Sequence, residues 1–372
     1  MKKAICILWI LCIGISYCSS QNRIVKTVVD SSSKLPIQFV NIVLTSNPHQ
    51  GTITNEDGLF ILYLINKSDS IEVSHIGYNK IRLSSNFTKD TIYLNSSATL
   101  LDEVTISDMS ANQVIIQTIK NLEINHSVEP VTYNSFVRIV EYPQDTSVIH
   151  IFEEHLFDIH QTKDSNSKFK IIKSRVNAFS GIGEKRLKDL RLINMVSVYS
   201  DNTFRYQDDF LKERKTKNYL YTFWDNDLTA DTSFYMIECR PKSDTSVLTA
   251  KLFIDKKSFA IVKVTKYYKN ESDLYDFTDI NFKQYNDKWY LSNSWRHFKS
   301  SIYARYGDSE NNYTDRICIY NVTNEMADLK TFKSTINIFA EPVKRYKGDF
   351  KDEFWEKVNY LPIPNWITKR LR

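Results

Sequence analysis

The sequence predicts a mainly β protein: a small N-terminal sandwich, a linking helix, and a long second block made almost wholly of strands. Three observations carry this. Aromatic residues make up 13% of the chain, with 22 Tyr and 21 Phe against 8 Gly and 8 Pro, and aromatic and β-branched side chains fit the half-buried face of a sheet. From Arg23 to about Val104 apolar residues alternate in short runs between clusters of turn residues. A sustained helical period shows clearly at only one place, between residues 110 and 124. With 372 residues, 42% of them hydrophobic and 25% charged, there is chain enough for two cores.

The first 20 residues read as a signal peptide. Lys2 and Lys3 precede an apolar run, Ala4 to Ile15, that is too short to span a bilayer. The small residues Cys18, Ser19 and Ser20 then place cleavage before Gln21. In a lipid-anchored reading Cys18 would be the acceptor, but Tyr17 in front of it is bulkier than a lipoprotein signal wants. No second apolar stretch is long enough for a transmembrane helix. The mature chain is therefore expected to be exported, and soluble or peripheral to a membrane. Cleavage removes two lysines and no acid, lowering the net charge from +5 to +3. So balanced a chain, without an Arg/Lys-rich run, excludes nucleic acid as a partner. Cys239 and Cys318 remain in the mature body, which leaves one disulfide open and rules out a disulfide scaffold.

Residues 22–104 break into the strands RIVKTVVD, LPIQFVNIVLT, the two arms of GTITNEDGLFILYL, DSIEVSHIGYNKIRL and DTIYLN. Such short strands, with turns between them and no helical period, make a sandwich. Within them Asn55-Glu56-Asp57-Gly58 invites a ligand reading. A calcium loop needs oxygen ligands at alternate positions and a bidentate Glu at its end. Here the polar residues are consecutive and the chain turns apolar after Gly58. A phosphate loop would end in Gly-Lys-Ser/Thr, which is missing. The knot is read as a turn between two strands, with Gly58 at positive φ.

Leu35, Pro36, Val40, Gly51, Thr52, Thr54, Gly58, Phe60, Ile76, Gly77 and Tyr78 fall in order as a Pro-led strand, a G-T-x-T-x-x-x-G-x-F hairpin and an S-x-x-G-Y strand. This pattern resembles the carboxypeptidase-regulatory-like domain common in envelope proteins of the Bacteroidetes. The resemblance implies an Ig- or transthyretin-like β-sandwich without catalytic residues of its own.

Residues 105–130 hold a linker and the helix. Val114, Ile115, Thr118, Ile119 and Leu122 form its apolar stripe, Ser110 is its N-cap, and Pro130 lies beyond its end. Residues 131–372 return to strands, with YNDKW and DKKSF as hairpin turns and GEKRLKDLRLINM as a short helix. EEHLFDIH, IIKSR, AKLFIDKKSFAIVKV and KWYLSNSW resemble the region that follows the regulatory-like domain in many such envelope proteins. The nearest structural analogy is the lipoprotein-carrier half-barrel, a large curved antiparallel sheet wrapped around a helix. On that reading Val114, Ile115, Ile119 and Leu122 pack against Phe253, Ile261 and Trp289. The C-terminal tail mixes Trp355, Tyr360 and Trp366 with Pro362 and Pro364. Its prolines forbid a long amphipathic helix, so it is expected to cap the open end of the sheet.

Chemistry-bearing patterns are sparse. His150, Glu153, His155 and His160 in HIFEEHLFDIH, with His297 downstream, suggest a zinc hydrolase, but zinc needs three convergent donors and an open position. On one strand His150 and Glu153 have opposite parity and point to opposite faces. No G-x-S-x-G elbow anchors a serine hydrolase, and nothing pairs Cys239 with a His. The carboxylates of DFTD and DNDLTAD read as solvated loops. Glu154 and Arg175 stand out as a structural or ligand-facing pair, satisfied by bidentate hydrogen bonds if buried and contributing little if exposed. The expected protein is non-catalytic and free of metal and cofactor, located in the periplasm or at the outer membrane or cell surface. Its sandwich would be an adaptor. Its sheet would bind an apolar or extended ligand (a lipid, lipoprotein or peptide), or would instead fill its cavity with its own aromatics. The alternative is a metal-dependent hydrolase using the His150–His160 region.

Overall fold

The computed structural model describes the chain from Asn22 to Leu371, apart from residues 48–49, 65–68, 85, 98–108, 128, 162–166, 191–207, 225–232, 244–247, 270–274, 301–304, 308–311, 323–341, 349–351, 353 and 356–360. The signal segment, Cys18, Tyr360 and the DNDLTAD loop lie outside the described residues.

Seven short strands form the N-terminal part: β1 (Asn22–Asp30), β2 (Asn41–Leu44), β3 (Gly51–Ile53), β4 (Leu59–Leu64), β5 (Ser70–Ser74), β6 (Ile81–Ser84) and β7 (Thr91–Leu94). They make two sheets, ordered β4-β1-β7 and β3-β2-β5-β6. The alternation seen in sequence is what permits this, since β2 and β5 each bury every second residue. Val28, Val40, Ile42, Leu44, Phe60 and Val73 are fully enclosed between the sheets, each burial worth roughly 1.5–3 kcal/mol. At the acidic knot, Asn55 Oδ1 accepts the backbone N–H groups of Asp57 (3.0 Å) and Leu59 (2.9 Å), an Asx turn. Gly58 has φ 70°, and a Cβ there would lie 2.4 Å from the Val28 carbonyl oxygen. Conformation and space both demand glycine.

Helix α1 (Ala111–Asn125) begins at a capping box, in which Ser110 Oγ accepts from Gln113 N and Gln113 Oε1 accepts from Ser110 N at 2.7 Å. It leads into a sheet of β8 (Val131–Pro143), β9 (Ile151–Gln161), β10 (Ser167–Ala178), β11 (Tyr219–Phe223), β12 (Phe234–Pro241), β13 (Leu248–Asp255), β14 (Ile261–Lys269), β15 (Tyr275–Tyr285), β16 (Lys288–Ser300) and β17 (Asn312–Val322). The order is β10-β9-β8-β17-β16-β15-β14-β13-β12-β11, antiparallel throughout and not closed. Thus β17 returns to lie between β8 and β16, joining the first three strands to the other six. The β15–β16 turn places Asn286 and Asp287 at φ 44° and 61°, as a type I′ hairpin requires. Two short helices complete the described elements used below, α2 (Gly181–Leu187) and α3 (Asn365–Thr368). Only the first part of GEKRLKDLRLINM lies in α2.

Both faces of the sheet are covered near its middle, which is why β8 is buried along almost its whole length. Tyr133, Val137 and Ile139 of β8, with Ile151, Phe157 and Ile159 of β9, share the inner core with α1. The alternate residues Phe136 and Leu156 face outward, against Ile53 and Phe39 of the sandwich and Trp355 and Leu361 of the tail. On α1, Ala111, Val114, Ile115 and Thr118 are buried. Ile119 and Leu122 only partly enter the core, and Ile116 and Ile124 are 42% and 63% exposed. Ile261 and Trp289 belong to that inner core, as the sequence led us to expect, but Phe253 does not. Its neighbour Leu252 faces inward, so strand parity turns Phe253 outward, where it meets Trp224 edge-on at 6.2 Å.

Candidate functional site

The inner face is the first candidate site. It is a continuous apolar surface running from Phe157 and Tyr133 through Tyr320 and Cys318 to Phe282 and Leu291, with α1 laid on it. Antiparallel alternation supplies it, each strand contributing every second side chain. Beyond the apolar stretch it turns polar. Arg186 of α2 grips the Glu141 carboxylate through Nε and, at 2.6 Å, through Nη2. Beside them Glu153 meets His155 Nε2 at 3.2 Å, and His155 Nδ1 meets Ser174 Oγ at 2.8 Å. Burial raises the Glu153 carboxyl above its ordinary range, opposed by the His155 hydrogen bond. A Ser–His–Glu line is the arrangement nearest to catalytic chemistry, but His155 has no exposed surface for a substrate to reach.

The outer face holds the residues singled out in sequence. Glu154 and Arg175 are directly opposed across β9 and β10, and Arg138 of β8 opposes Glu154 from the other side. Arg138 Nε donates to Glu154 Oε1 at 2.8 Å, and Arg175 Nε donates to Oε2 at 2.7 Å. All three side chains are at most 5% exposed. The pair is thus two members of a buried triad, completed by Arg138, that carries a net positive charge. The excess is met by the tail: Arg138 Nη1 and Nη2 donate to the carbonyls of Pro362 (2.9 Å) and Leu361 (2.5 Å). The Arg175 guanidinium lies over the Trp355 ring at 4.6 Å. Burial pulls Arg138 below its ordinary value, against the pull of Glu154.

The same tail is held from the opposite side by the acidic knot. Asn55 Nδ2 donates to Pro362 O at 3.3 Å, Asn365 N to Asp57 Oδ2 at 2.8 Å, and Trp366 Nε1 to Glu56 Oε2 at 2.8 Å. Residues 361–371 therefore lie between sandwich and sheet instead of capping an open end. Ile367 and Trp366 add apolar contact to Tyr142 and Phe152. Sequence reasoning found Glu154 and Arg175 but not Arg138, although a lone Arg inside the apolar run FVRIV is itself a sign of a buried ion. It could not have paired Asn55–Asp57 with a segment some 300 residues away.

The histidines do not converge. His150 bonds to Ser180 Oγ (2.7 Å) and Asn312 Oδ1 (3.0 Å), His160 to Thr132 Oγ1 (2.8 Å), and His297 to Asp315 Oδ1 (2.7 Å). Among the described residues no three His, Cys, Asp or Glu side chains come together as a metal site requires. Cys239 and Cys318 are both free and buried, five places apart in the sheet. Burial pushes the Cys239 thiol well above its ordinary value.

Residues 27–106 match the family described as CarboxypepD_reg-like domain, as the hairpin landmarks implied. No curated protein matches the chain by sequence. Among solved structures, a LolA superfamily protein from Nitrosomonas europaea aligns over 61% of this chain and 100% of its own, at 11% identity and TM-score 0.29. An outer membrane lipoprotein-sorting protein domain from Vibrio parahaemolyticus aligns over 59% and 96%, at 12% identity and TM-score 0.27. A DUF1329 family protein from Desulfovibrio piger aligns over 61% and 99%, at 10% identity and TM-score 0.26. Superposition this loose carries no functional argument. No described helix is long and apolar enough to cross a membrane.

Proposed function

We propose that this is a non-catalytic binding protein of the bacterial envelope, whose open sheet holds an apolar or extended ligand on its inner face. A lipid, a lipoprotein segment or a peptide has the required chemistry. The carrying observation is the incomplete seating of α1. Ala111, Val114, Ile115 and Thr118 of its stripe are buried on the inner face, while Ile119 and Leu122 further along are only half-covered. A ligand tail that displaced or lay beside this part would bury the same apolar surface. The regulatory-like sandwich, fixed to the outer face by the tail, leaves the inner face to α1 and serves as the adaptor toward other envelope components. In this reading Glu154, Arg175 and Arg138 are structural and hold the tail.

The test is mass spectrometry of native protein purified from envelopes. A co-purifying lipid or peptide, lost on Ile119→Arg with the fold retained, supports the proposal. Protein that is empty from every source, and takes up no lipid from vesicles, refutes it. Zinc near one ion per chain, lost on His150→Ala, would favour the hydrolase instead. The same spectrum reads export, since a mature chain should start at Gln21 without a lipid adduct on Cys18.

A further inference from the structure

A second concavity lies on the opposite side of the sheet, where the sandwich meets β15 and β16. It measures about 490 Å³ and is lined by Phe39, Ile76 and Tyr78 from the sandwich and by Asn281, Lys283 and Asn293 from the sheet. That volume lies in the range of small-molecule sites, and a junction between two folded units is a common place for one. Its floor is polar and built by a β-bulge. Asn281 opposes Asn293 and Phe282 opposes Leu291, so Ser292 is an extra residue at the bottom of the cleft. Bulges recur where a strand must re-aim a side chain.

Lys283 lines this floor and is half-buried. Among the described residues it has neither a hydrogen bond nor an ion pair, whereas the acids around it are already engaged. Glu72 binds Lys80 at 2.9 Å and Arg82 at 3.0 Å, and Asp279 binds Lys263 and the Asn281 amide, each at 2.8 Å. Burial alone brings the Lys283 amine down to about 8, and among the described residues no acid is paired with it. On the other wall the His75 Nδ1 atom is buried without a hydrogen-bond partner. Ordinary surface lysines keep their charge in water; this one is half-buried in the cleft and, among the described residues, has no ionic partner.

We infer that the cleft between the sandwich and the outer face of the sheet binds a small amphipathic carboxylate, its acid group on Lys283 and its apolar body between Phe39 and Tyr78. The site is separate from the inner face proposed for the apolar ligand, and neither depends on the other.

The test uses the full mature chain and a fluorescent aromatic anion, anilinonaphthalene sulfonate, with uncharged phenylnaphthylamine as control. Lys283→Met should weaken the anion by about tenfold or more, the loss of one close charge pair. It should leave the neutral probe and the melting temperature unchanged, and Lys283→Arg should restore binding. Phenylpropionate and a dipeptide with a free C-terminus then compete with the anion. Displacement by either supports the inference and separates a free acid from a peptide end. Wild-type affinity in Lys283→Met, equal loss of both probes, or displacement by neither competitor overturns it.

Discussion

Replacing Glu154 by Gln tests the central physical claim about the outer face. The substitution keeps the side chain's shape but removes the negative charge held between Arg138 and Arg175, and turns an amide N–H toward guanidinium donors. Four short donor contacts reach the two carboxylate oxygens, from Nε and Nη2 of each arginine. With Glu154 wholly buried, water cannot take its place. Breaking a buried ion pair on one side costs about 3–5 kcal/mol, because the partner stays charged and uncompensated. For a sheet of this size that is a fall in melting temperature of roughly 6–20 °C. Circular dichroism at neutral pH is the assay, with the transition also followed in urea. An apolar triple variant, Arg138→Met with Glu154→Leu and Arg175→Met, should melt close to the wild type, since the desolvation cost disappears together with the attraction. It should nevertheless loosen the tail, whose Leu361 and Pro362 carbonyls lose their donors. Were Glu154→Gln to melt within about 0.5 kcal/mol of the wild type, as a surface substitution would, the triad would not be holding this face together.

Three further outcomes follow from the packing. Ile115→Asp should unfold the sheet domain, while Ile119→Asp should cost distinctly less, because only Ile115 is fully enclosed; equal melting points for the two would contradict the half-seated helix. His126 is buried against Phe282, and burial lowers its pKa from 6.5 to about 3. The unfolded chain then takes up that proton first, so stability is full above pH 6.5 and falls as pH drops toward 3, by on the order of 4 kcal/mol for this group. His126→Phe should flatten the acid limb of a stability–pH curve, and an unchanged limb would remove His126 as its cause. Asp57→Ala combined with Trp366→Phe takes away two of the three bonds from the knot to the tail, so limited proteolysis should cleave residues 361–371 faster, with the sandwich core intact; an unchanged cleavage rate would leave the knot without this role.

Local chemistry settled much of this molecule in advance. Period-two alternation set the strands, Ser110 and Gln113 set the start of α1, and the requirement for positive φ set Gly58, because each depends on residues within a few positions of one another. Glu154 and Arg175 stood out as a pair because they occupy the acidic and basic landmarks of EEHLFDIH and IIKSR, the segments that resemble the region following the regulatory-like domain. What the sequence left undecided is everything that depends on distant segments meeting. Whether a strand residue such as Phe253 faced the helix depended on register and a bulge, and one step of parity reverses the answer. The acidic knot read correctly as a turn, yet its side chains found their partners in Pro362, Asn365 and Trp366, at the other end of the chain. No local pattern marks Lys283, and only the sandwich laid against the outer face makes it line a cleft. Charge and burial are properties of the assembled surfaces, and only the tertiary structure decides which polar groups are left facing a space instead of each other.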